Sequence, residues 1–331
     1  MQVREFQDGC RIETPLLVRG VETRRRREGD EYLKLSLADR TGSAPAVVLE
    51  RVDAARAACT AGAVVHMTGR FETDPRFGAR IVVEEIRPAA DGEYERAHLL
   101  DGPVHPVAQM ESDLRELIAT VQDPDLRRLL TAVFGEGSAT WSRFREAPAA
   151  KHYHQAYRHG LLEHCLGVAQ AVSAISATFP GIERDVAVAG ALLHDIGKLD
   201  AYELSGEAID MSDQGRLYGE IALGYYRVRS LIDGLPGFPL ETAQAVLHII
   251  LSHHGSLEYG SPVIPCTREA TLVHMVDNLG GRLGSFDRVE KALPAGAQWS
   301  AFDKGIGGGA YFAAPAPAPP PAPALDERRA A

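Results

Sequence analysis

Apolar and polar residues alternate along residues 16 to 86 in five stretches, LLVRGVE, EYLKLSLAD, APAVVLE, GAVVHMTGRFE and GARIVVEEI. A period of two places every second side chain on one face, which is the signature of half-buried strands. Turn residues separate the stretches at Glu28-Gly29-Asp30, Asp39-Arg40-Thr41-Gly42 and Asp74-Pro75. An alanine-rich helix, about Val52 to Cys59, intervenes between the third and fourth strands.

Five strands with a helix in that place predict an all-β OB-fold barrel, an architecture that binds single-stranded nucleic acid. The pattern then breaks at Pro88, Gly92, Gly102, Pro103 and Pro106. Beyond it the spacing becomes helical, over Met110 to Val121, Pro124 to Phe134, Gly160 to Phe179, about Glu183 to Ile196 and Thr271 to Leu283. Asp123 before Pro124 is a helix cap followed by proline at the first helical position. The chain therefore divides into a barrel over 1–95, a linker over 96–109, an all-α domain over 110–312 and a Pro/Ala-rich tail over 313–331. The tail cannot form a core, and disorder with extended polyproline II character is expected there.

Composition refines this picture. A chain of 331 residues, 45% hydrophobic and 24% charged, can bury a core in each of two domains. The opening MQVREFQDG lacks an apolar signal stretch and no apolar run is long enough to span a bilayer, so a soluble, cytoplasmic protein is expected, with no membrane partner. Cys10, Cys59, Cys165 and Cys266 show no metal-ribbon spacing and read as reduced thiols. A net charge of −10 argues against coating nucleic acid with the whole surface. Yet residues 1–90 hold 15 Lys and Arg against 14 Asp and Glu, so the negative charge lies beyond them. The run Arg24-Arg25-Arg26-Arg27 is placed in the loop joining the first two strands, where it can neutralise phosphates. Tyr32, Phe71 and Phe77 are the aromatic residues available for base stacking, although single aromatics in strands more often serve the core.

Several polar residues fall where the helical pattern wants apolar ones. His164 lies three after Leu161 and four before Val168, which turns it inward. Alone it would read as a hydrogen-bonded core histidine. The segment ALLHDIGK adds His194 and Asp195 after an apolar turn, LSHHG adds His253 and His254, and MVDN adds Asp277 beside an expected face of Leu272, Val276, Leu279 and Leu283. A buried carboxylate is costly unless paired or metal-bound. A shared metal site explains all of them at once. Imidazole with carboxylate, and no thiolate cluster, suits a borderline divalent ion such as manganese, iron, nickel or zinc.

The order H…HD…D resembles that of the HD-domain metallophosphohydrolases. More narrowly, the blocks at 147–170, 191–206 and 251–279 resemble YhaM-type 3′-to-5′ exoribonucleases, in which an OB-fold precedes an HD domain. The resemblance implies an enzyme that hydrolyses single-stranded RNA, or single-stranded DNA, from the 3′ end to 5′-mononucleotides, with one or two divalent ions, manganese by expectation. It implies that His164, His194, Asp195 and Asp277 form the primary site, with His253 and His254 around a second ion or the substrate phosphate. Glu220 stands where a histidine of the family is expected, and as an oxygen ligand it would favour a harder ion. His154-Gln155 and His159-Gly160 also depart from the family pattern. Lys198 is the candidate cation for charge building on the phosphate, with Arg282 weaker. His154 and Tyr259 are assigned to the substrate pocket, while His248 and His274 read as structural. Two other readings remain open: an HD-domain nucleotide phosphohydrolase or phosphodiesterase, and a non-catalytic nucleic-acid-binding protein. The sequence sets no oligomeric state.

Overall fold

In a computed structural model, described for residues 1–331 apart from 27–28, 75–77, 101, 152–154, 206–207, 292, 294–296 and 314–331, the chain forms a barrel and then a helical domain. The expectations for Arg27, Phe77, His154 and the tail beyond 313 lie outside the described residues. The barrel comprises β1 (Arg11–Arg25), β2 (Glu31–Asp39), β3 (Gly42–Val48), α1 (Val52–Ala58), β4 (Val64–Asp74) and β5 (Gly78–Pro88). The sheet closes in the order β1-β2-β3-β5-β4, with β3 and β5 parallel and the other pairs antiparallel.

Alternation explains the closure. Ile12, Leu16 and Val18 on β1, Leu33, Leu35 and Leu37 on β2, Val65 and Met67 on β4 and Ile81 on β5 are all buried together inside the barrel. Closure pairs the backbone all round and removes exposed sheet edges. Five strands closed this way, with a helix between β3 and β4, are the OB arrangement.

One detail differs from the sequence reading. β1 starts at Arg11 and runs through Arg25, with Arg24 opposite Tyr32 and Arg25 opposite Glu31. Arg24 and Arg25 therefore sit on the strand end rather than in the loop, because β2 supplies each with a cross-strand partner, in one case of opposite charge. Arg26 alone of the described arginines in the run lies in the turn.

A short α2 (Arg96–Leu99) interrupts the segment expected as linker. The helical domain follows with α3 (Val107–Ala119), α4 (Pro124–Phe134), α5 (Ala139–Glu146), α6 (Gly160–Ser176), α7 (Arg184–Leu193) and α8 (Lys198–Ala201). A two-stranded ribbon, β6 (Tyr202–Ser205) with β7 (Ala208–Met211), is an addition that the sequence reading did not contain. Then come α9 (Asp213–Tyr218), α10 (Glu220–Asp233), α11 (Leu240–Ser252) and α12 (Arg268–Lys291). The Asp123 carboxylate accepts from the backbone N–H groups of Asp125 and Leu126 at 2.8 and 2.9 Å, capping α4 as its sequence indicates.

α6, α7, α11 and α12 surround one apolar core that includes Leu161, Val168, Leu192, Ile249, Val273 and Val276. On α12 the buried stripe runs through Val273 and Val276, which carries Asp277 inward at the adjoining position. Leu279 and Leu283, expected on that face, are instead exposed. At roughly 100° per residue Leu279 lies about 160° and Leu283 about 120° round the helix from the inward Asp277. Among the described residues no helix is long and apolar enough to cross a membrane.

Candidate metal centre

Three helices, α6, α10 and α12, and two turns, after α7 and after α11, bring the ligating groups together. α7 ends at Leu193, and the chain turns through His194, Asp195, Ile196 and Gly197 before α8. The Lys198 N–H donates to the Asp195 carbonyl oxygen at 2.9 Å, which tightens that turn. A Cβ at Gly197 would stand 1.9 Å from the Glu220 carbonyl oxygen and 2.5 Å from the Gly224 nitrogen. Only glycine permits this approach, and the approach lays the first turn of α10, with Glu220, against the site.

α6 contributes His164 and α12 contributes Asp277. His164 Nε2 lies 3.2 Å from His194 Nε2, 3.3 Å from Asp195 Oδ2 and 3.1 Å from Asp277 Oδ1. His194 Nε2 lies 3.4 Å from Asp195 Oδ2 and 3.7 Å from Asp277 Oδ1. Donors bound to one ion at about 2.1 Å stand roughly 3.0 to 3.4 Å apart for octahedral or tetrahedral angles. Four of the five separations fall in that range and the fifth, His194 to Asp277 at 3.7 Å, is slightly wider, so the set fits a common ion.

Proton placement strengthens the fit. Nδ1 of His194 donates to the Ala191 carbonyl oxygen at 2.7 Å, that of His253 to Ile250 at 2.8 Å and that of His254 to Tyr259 at 2.8 Å. Nδ1 of His164 faces Gln155 Oε1 at 3.1 Å. An oxygen acceptor places the proton on Nδ1, so each neutral ring turns its Nε2 lone pair into the cluster. Two such lone pairs 3.2 Å apart repel unless a proton or a metal ion lies between them. Similarly, His253 Nε2 and Asp195 Oδ1 are buried without a hydrogen-bond partner, although they stand 3.5 Å apart. Both are acceptors and cannot satisfy each other. A divalent ion satisfies both.

The electrostatics point the same way. Burial disfavours a charged imidazole here, yet the carboxylates of Asp195 and Asp277 outweigh it, raising His164 and pushing His194 up to about 10. Burial would raise the carboxyls, but Lys198 and His194 hold Asp195 well below the usual range and the two histidines do the same for Asp277. The pocket therefore stabilises positive charge, whether proton or metal. Lys198, the candidate cation from the sequence, is buried with its Nζ 2.6 Å from Asp195 Oδ2. A lysine in that place is not a solvated surface charge.

A second group of donors adjoins the first. Asp195, His253 and His254 form a further cluster within metal-ligand reach, and Glu220 Oε1 lies 3.4 Å from His254 Nε2. Glu220 thus faces the histidine pair. The carbonyl of Tyr259 orients His254, while the Tyr259 side chain is exposed. Arg282 is exposed on α12. In the barrel, Arg24 and Arg25 lie against Glu22 and Glu31, and Phe71 packs on Phe6 with ring centroids 5.7 Å apart.

The contacts of Gln155 and Tyr202 escaped the sequence reading, whereas His274 has the structural character expected of it. Gln155 holds His164, His274 Nδ1 donates to the His253 carbonyl oxygen at 2.7 Å, and the Tyr202 phenol is raised first by burial and next by the charge of Glu220. Gln155 is marked in the sequence only as a departure from the family pattern and Tyr202 not at all, because loop and ribbon bring them in.

Residues 161–280, which follow the five-stranded OB barrel, match the HD domain family. The chain is 28% identical to the 3′-5′ exoribonuclease YhaM of Geobacillus sp., over 87% of its own length and 88% of that protein's. It is also 28% identical to the protein of the same name from Halalkalibacterium halodurans, over 87% and 89% of the two chains, and 27% identical to that of Listeria welshimeri, over 88% and 92%. The resemblance to YhaM-type exoribonucleases read from the sequence is borne out along nearly the whole chain.

Proposed function

We propose that this protein is a metal-dependent 3′-to-5′ exonuclease that hydrolyses single-stranded RNA to 5′-mononucleotides in the cytoplasm, with manganese as its ion. One observation carries the proposal: a buried set of inward lone pairs follows a closed OB barrel, in a chain similar to exoribonucleases over almost nine-tenths of its length. The match in metal chemistry alone would fit many hydrolases, and the barrel selects a strand as substrate.

In this reading His164, His194, Asp195 and Asp277 hold the first ion. His253 and His254, with Glu220, hold a second ion or the terminal phosphate. An ion bound there supplies an activated water and polarises the scissile phosphodiester. The oxygen of Glu220 among imidazoles supports manganese over softer ions. Lys198 keeps Asp195 ionised and places a fixed positive charge beside developing phosphate charge. Burial of the first cluster strengthens the electrostatic interactions among its groups. Tyr259 and Arg282 line the approach, while the barrel, through Arg24 to Arg27, Tyr32 and Phe71, retains the strand. Attack at the last phosphodiester breaks the bond to the 3′ oxygen, so the released nucleotide keeps its 5′ phosphate.

The test is a panel of 5′-labelled single-stranded RNA, DNA of the same sequence, and a deoxynucleoside triphosphate, each with and without manganese. A ladder shortening from the 3′ end of RNA, with mononucleotide product, is expected. Turnover of the triphosphate with intact RNA would make the protein a nucleotide phosphohydrolase. Binding without cleavage under every metal would make it a binding protein.

A further inference from the structure

His164 differs from the other histidines of the centre in how its proton is held. His194, His253 and His254 donate from Nδ1 to main-chain carbonyls, which no side-chain replacement removes. His164 donates to a side chain, Oε1 of Gln155, at 3.1 Å. Gln155 precedes α6, so no helical register places it there.

The loop is built around that residue. Gln155 has a φ of +55°, a left-handed conformation that costs energy for any residue with a Cβ. Its carbonyl oxygen accepts from the N–H groups of Ala149 at 3.2 Å and Tyr157 at 2.9 Å. At Gly160 a Cβ would stand 2.0 Å from that same oxygen, so the loop closes only on glycine. A strained residue, held by two hydrogen bonds and a close glycine contact, delivers one amide to one histidine.

We propose that Gln155 is a positioning residue of the metal centre: its amide oxygen fixes the tautomer and ring plane of His164 and thereby sets the affinity for the first ion. The proposal rests on reading the cluster as a metal site. A partner oxygen on the far nitrogen of a metal-binding histidine orients the ring and raises its basicity, and a carboxylate there does so more strongly than a neutral amide. The amide of Gln155 therefore holds the ion less tightly than a carboxylate would.

Manganese binding by full-length protein, measured by competition with a metal chelator, provides the test without reference to RNA cleavage. Gln155→Met keeps an unbranched side chain at the +55° backbone but removes the acceptor. Its affinity for the first ion should fall by about 10- to 100-fold. Gln155→Glu keeps the oxygen and should bind as tightly as the wild type or more so. A role confined to loop structure would weaken both variants alike and would overturn the proposal, as would wild-type affinity in Gln155→Met. A wild type that binds no manganese would instead overturn the metal reading on which the proposal rests.

Discussion

The barrel and the helical domain carry their charges in opposite ways. In the barrel, Arg24 lies against Glu22, and Arg25 and Arg56 share Glu31, with every partner more than a third exposed. Exposed pairs of this kind contribute about 0 to 1 kcal/mol each and are screened by salt. In the helical domain, His164, His194, Asp195, Lys198 and His253 are all buried, and two of their atoms have no partner. Barrel pairs can therefore exchange a carboxylate for a phosphate at small cost, whereas the buried cluster is incomplete without a cation. In the proposed function, binding and chemistry are separated between the two regions for that physical reason.

The sharpest way to break this separation is Asp195→Ala. It removes a donor shared by both groups and leaves Lys198 buried without its partner. RNA shortening should fall on the order of a thousandfold or more, while strand binding followed by fluorescence anisotropy should stay within about twofold. A matching loss of binding would place the strand on the helical domain.

Lys198→Met tests the buried ion pair. Losing one partner of such a pair costs about 3 to 5 kcal/mol. Urea unfolding of the metal-free protein should register that loss, and added manganese should recover part of it by supplying charge next to Asp195.

Stability against pH gives a third contrast. The folded value of His194, about 10, lies above the ordinary 6.5 of a free histidine, so its stabilisation is complete below about 6.5 and fades as pH rises toward 10. Asp195 and Asp277 are depressed, so their contribution exists above the free-carboxylate range near 4 and is lost on acidification. Metal-free protein should therefore be most stable between roughly pH 4 and 6.5. Manganese should protect it most at alkaline pH, where the ion replaces departing protons. Thermal unfolding across pH, with and without metal, reads both effects.

The smallest effect is expected in the barrel. Replacing Arg24 and Arg25 with glutamine removes two cations already engaged by acids. The slope of log affinity against log salt for a single strand should change by no more than about 1.4, at about 0.7 per phosphate contact. A larger change would mean that the strand displaces Glu22 and Glu31 completely and draws further residues with it.

Legibility in the sequence follows the range of the forces involved. The five strands, α1, the Asp123 cap and the inward turn of His164 were readable because each depends on neighbours within one or two turns of chain. The convergence of His164, His194, Asp195, His253, His254 and Asp277 was readable as well, since polar residues on apolar faces share a common cause. Leu279 and Leu283 were misplaced because both leucines and Asp277 compete for the inward direction and the carboxylate takes it. Arg24 and Arg25 were put in a loop because their partner strand is recognised only once β2 is in register. Gln155 stood out in the sequence only as a departure from a pattern. Its contact with His164 depends on a loop that no periodicity describes.

A crystal grown with manganese and measured at an anomalous-scattering wavelength tests the central claim most directly. The account predicts a peak enclosed by His164, His194, Asp195 and Asp277, and a Glu220 carboxylate turned toward the His253-His254 side. Manganese found only on surface carboxylates, with the buried cluster empty, would contradict it.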